Sequence, residues 1–70
     1  MLTDEQLAFL AREEGVILES IKNTANTNPD YLMGACADII VEEIEWDEAY
    51  DKRFNPERLA MAESVIKVLM

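Results

Sequence analysis

The stretch from Asp38 to Asp51, DIIVEEIEWDEAYD, holds seven carboxylates and no base, with Ile39, Ile40, Val41, Ile44, Trp46 and Tyr50 threaded between them. Carboxylates at this density could hold a cation, meet a basic protein surface or imitate the phosphates of a nucleic acid. The apolar residues favour the second. Trp46 and Tyr50, with Tyr31 and Phe54 close by in sequence, are large, stiff side chains of the kind that anchor protein interfaces. Carboxylates around them would select lysine or arginine on a partner and speed the encounter. A merely solvating acidic tail has no need of a tryptophan.

Two other chemistries compete for the same residues. Seven acids over fourteen residues, at a rise of 1.5 Å per residue, give about one negative charge per 3 Å of helix axis, close to the ~3.4 Å of a single DNA strand. A nucleic-acid mimic blocking a DNA- or RNA-binding protein is therefore the alternative reading, although Asp38, Glu45 and Glu48 face away from Glu43 and Asp47 instead of forming tracks. A third reading is a Mg²⁺- or Mn²⁺-dependent enzyme of the all-α nucleotide pyrophosphohydrolase kind. Glu42, Glu45 and Glu48, or Glu43 and Asp47, recur at the spacings that share a helix face. That likeness is one of composition only. With no histidine and a single cysteine, the usual zinc sites and Glu-x-x-His di-iron elements are ruled out. No nucleophile–base pair or phosphate-cradling glycine loop is present, so the sequence points to no catalytic residue, no metal ligand, no cofactor and no enzyme.

The elements that must position these groups are helices. Thr3 can cap a first helix while Gln6 reaches back, and Leu7, Leu10, Ala11, Ile17, Leu18, Ile21 and Ala25 then recur at helical spacing. This predicts a helix over about 4–24 that runs through Gly15 at a cost of about 1 kcal/mol. Asn28-Pro29-Asp30 and Asn55-Pro56-Glu57 repeat one helix-opening signal, an N-cap oxygen followed by proline and an acid. They predict helices over about 29–50 and 56–69, antiparallel across a short connection. The fold class is all-α: a single small three-helix domain.

On these helices Glu14, Glu43 and Asp47 fall near the centres of apolar stripes. Each needs a resolution, because an unpaired buried charge costs several kcal/mol or takes up a proton. One resolution is internal pairing with Arg12, Lys22, Arg53 or Arg58. The other is a docking face for a partner, made of Glu43, Trp46, Asp47, Tyr50, Ile39, Tyr31 and Phe54. Cys36 lies within the apolar stripe and reads as an inert buried thiol.

Seventy residues give a marginal core, and one cysteine cannot make an internal disulfide. A second subunit is the expected remedy. Phe9, Val16, Met61 and Val68 point away from the main stripes and predict a homodimer interface, and hence a homodimeric helical bundle. The formal net charge of -9 repels phosphate backbones and anionic headgroups, so no direct nucleic-acid or membrane partner is expected. The start MLTDEQ lacks the features of a signal peptide, and no run reaches the ~20 apolar residues of a membrane span, which predicts a cytoplasmic protein. The combined expectation is a stoichiometric regulator or inhibitor, bacterial or bacteriophage in style, that docks onto a basic region of another protein.

Overall fold

The computed structural model describes Met1 to Met70 and contains four helices and no strand: α1 Asp4–Glu14, α2 Leu18–Thr27, α3 Pro29–Glu48 and α4 Pro56–Leu69. The expected capping box opens α1. Thr3 Oγ1 accepts from the Gln6 amide at 3.1 Å, and Gln6 Oε1 accepts from the Thr3 amide at 2.9 Å.

The single helix expected over 4–24 is in fact two. Gly15 adopts the left-handed conformation, φ 68 and ψ 34. Its amide donates to the Arg12 carbonyl at 3.3 Å, and the Val16 amide donates to the Ala11 carbonyl at 3.1 Å. This is a Schellman closure, in which glycine is the favoured residue and not a mid-helix penalty. The turn brings Ile21 into the core while leaving Val16, Ile17 and Leu18 exposed. A second expectation also shifts. Asn55 Oδ1 accepts from the amides of Glu57 and Arg58 as an N-cap should, but Asn28 makes no side-chain cap bond. Asn28 is shared between two helices, and its own amide donates back to the Thr24 carbonyl to end α2.

The core gathers Leu7, Phe9, Leu10 and Ala11 from α1, Ile21 from α2, Leu32, Cys36 and Ile39 from α3, and Ala62 and Val65 from α4. Phe9, expected at a dimer interface, is thus part of the chain's own interior, because α1 is enclosed on more than one side. Helices α3 and α4 share the most extensive interhelical interface. The Cα envelope measures 37 × 23 × 17 Å. A shape so thin beside the 10–12 Å diameter of a helix encloses no helix completely. One side of α3 is left open along its length.

Candidate protein-docking face

Glu43 lies at the inward pole of α3 and is fully buried. Its Oε1 accepts from the Asn55 amide at 2.6 Å and its Oε2 from Arg58 Nη1 at 2.5 Å. Arg58 also donates from Nη1 to Glu42 Oε1 at 2.8 Å, and from Nε and Nη2 to both oxygens of Glu13. One guanidinium therefore binds α1, α3 and α4 together. These hydrogen bonds, the Glu13 pair foremost, hold the Arg58 proton more tightly than usual. No buried side-chain oxygen or nitrogen is left without a partner. Glu43 is a structural acid, satisfied within the chain. Sequence reasoning named Arg58 among four candidate bases but missed Glu13 and Glu42 as co-ligands, for which no spacing signal exists.

Other residues of the expected docking set are also drawn inward. Ile39 is buried, and Phe54 is half-buried. The half-buried Trp46 ring lies under Arg53, whose Cζ is 4.7 Å from the ring centroid, with Arg58 at 5.8 Å. These distances allow cation–π attraction. Arg53 in turn grips Asp51 through Nε and Nη2, and this hydrogen bonding draws the Asp51 carboxyl down to about 2. Tyr31 is exposed and donates from its hydroxyl to Glu14 Oε1 at 2.5 Å, a bond that raises the phenol above its ordinary range. Glu14 is half-buried, and Asp47 is exposed without an ion pair.

Of the remaining residues expected between subunits, Val16 and Val68 are exposed, whereas Met61 is half-buried against the core. Burial, helped by Glu14 and Glu13, pushes the Cys36 thiol up to about 11. It is protonated and unreactive at neutral pH.

The distal end of α3 is different. The seven acids of residues 38–51 lose three to internal ion pairs, Glu42 and Glu43 to Arg58 and Asp51 to Arg53. Asp38, Glu45, Asp47 and Glu48 remain exposed and unpaired. Three of these crowd the C-terminal end of the helix, where the backbone dipole already carries partial negative charge and no base occupies the last turn. Directly beyond them stands Tyr50, 95% exposed, with a left-handed backbone at φ 55. Its amide donates to Asp47 and the Asp51 amide to Trp46, so Tyr50 fills in α3 the slot that Gly15 fills in α1. A left-handed tyrosine costs roughly 1–2 kcal/mol. No hydrogen bond or packing contact of its ring offsets that cost.

A groove beside α1 also collects Glu13, Glu14, Asp30, Asp38 and Glu42, with Arg58 as its only base. No group of three or more carboxylate or thiol side chains in the molecule converges to hold a metal ion. No helix is long and apolar enough to cross a membrane. No family model, curated protein or solved structure matches the chain.

Proposed function

We propose that the protein is a stoichiometric docking module, which uses the distal end of α3 to bind a basic region of a partner protein and regulates that partner by occlusion or adaptation. Tyr50 carries this reading. An exposed aromatic held at energetic cost in a glycine position, with Glu45, Asp47 and Glu48 beside it, has the composition of an interface anchor. Lysines or arginines of a basic region placed there meet unpaired carboxylates on either side of the helix, Glu45 and Glu48 on one and Asp47 on the other, beside the negative end of the helix. The mechanism needs no bond-making, only a surface whose charge and anchor are complementary to the partner's.

The test is binding of the full chain to an immobilised peptide array graded in net charge. Retention is expected to rise with positive charge and to fall with added salt, as exposed charge contacts are screened. Tyr50→Gly is expected to weaken retention by about tenfold while raising the melting temperature by about 4 °C or more, because it removes backbone strain. Equal retention of neutral and cationic peptides would overturn the proposal, as would a Tyr50→Gly variant that binds unchanged.

A further inference from the structure

The outward side of α3 carries a second pattern, independent of the stripe that faces the core. Gly34, Ala37, Val41, Ile44 and Glu48 are separated by three, four, three and four residues, and all five are exposed. That alternation is the a/d spacing of a coiled-coil seam. Val41 and Ile44 keep 56% and 44% of their surface in solvent. Asp38 and Glu45 flank the seam on one side and Asp47 on the other, with no base on either flank. Gly34 adds a separate observation. It lies inside the helix, its φ is not positive, and a Cβ built on it would meet nothing within 4 Å. Glycine in a helix interior is less stable than alanine, and here no turn and no packing neighbour within the chain calls for it. A second backbone approaching from outside would.

From this we propose that the outward face of α3 seats one helix of another protein, a cationic amphipathic helix. Its apolar stripe covers Ala37, Val41 and Ile44, its backbone comes close at Gly34, and its lysines or arginines meet Asp38, Glu45 and Asp47. The inference rests on the docking reading above and gives the partner its form. Charge complementarity selects the occupant, since a second copy of this chain would bring carboxylates and no base to the seam. The all-helical fold offers no sheet edge to which an extended strand could add. A helix presents side chains at the same three-and-four spacing, so its knobs fit between those of α3.

Calorimetric titration with two peptides of identical composition tests this. One places leucines at a and d positions and lysines at the flanks, and the other scrambles the order. The patterned peptide is expected to bind about tenfold more tightly than the scramble and to gain helical circular dichroism on binding. The double variant Val41→Ser/Ile44→Ser should erase that advantage, and Gly34→Ala should reduce it while raising the melting temperature. Both substitutions lie on solvent, and a melting curve for each verifies folding.

Equal affinity for the two peptides overturns the helical partner while leaving the docking reading intact, whereas binding of neither overturns both. Light scattering adds one more outcome. A mass twice 8.0 kDa that reverts to 8.0 kDa in the double variant would assign the seam to a second copy and overturn the proposal.

Discussion

A buried carboxylate without a counter-charge either takes up a proton or loosens its surroundings, and at Glu43 that choice is governed by Arg58. Arg58→Met is expected to cost about 3–5 kcal/mol, a large share of the roughly 5–15 kcal/mol that holds a small domain together. Glu42→Gln, at a partly exposed partner of the same guanidinium, should cost about 1 kcal/mol or less. Urea denaturation measures both, and similar midpoints for the two variants would refute the ranking. Part of this was legible in the sequence. Helical periodicity placed Glu43 at the centre of an apolar stripe, and it is there. The same periodicity placed Asp47 near that centre, yet Asp47 is exposed, because a helical angle gives a direction without saying what lies along it. The identity of the base was not legible either. Arg58 lies 15 residues beyond Glu43, and only the crossing of α3 and α4 brings it into reach.

Two helices of this chain end in the same hydrogen-bonded turn with unlike residues at its centre, Gly15 after α1 and Tyr50 after α3. The contrast separates a conformation the fold needs from one that has another use. Gly15→Ala is expected to destabilise by about 1–2 kcal/mol, since alanine resists the left-handed region. A thermal melt checks this, and an unchanged or higher midpoint would mean that α1 and α2 can fuse at no cost. The expectation of one helix through Gly15 failed for an identifiable reason. Apolar spacing continues across the break through Ile17 and Leu18, two residues that the turn leaves exposed. The helix starts at Pro29 and Pro56 were legible because proline and its neighbours act locally. Only Asn55 became a true cap. Asn28 closes the preceding helix with its backbone amide, and its side chain makes no cap bond to α3.

Over the whole molecule, fifteen acids and six bases share an envelope no longer than 37 Å. The screening length is about 30 Å at 0.01 M salt and about 8 Å at 0.15 M, so at low salt every charge feels most of the others. The melting temperature is expected to rise over that range as self-repulsion is screened. A fall would mean that the ion pairs of Arg58 and Arg53 outweigh the repulsion. At this scale the sequence conveyed class and charge, all-helical and acidic, because both follow from composition and periodicity. It did not convey which charges stay free. Pairing removes three of the seven acids in the run from Asp38 to Asp51, and the four that remain are too sparse to keep the charge spacing of a DNA strand.

The chain has a single indole, and the fold clamps it beside the two guanidiniums at the α3–α4 junction, away from the outward seam. Trp46 is thereby a built-in optical gauge. Its emission is expected to shift to the red when the α3–α4 junction opens and the ring loses Arg53 and Arg58, and to stay unchanged when a ligand seats on the outward face of α3. Loss of structure can then be followed in the unlabelled protein without interference from occupancy of that face.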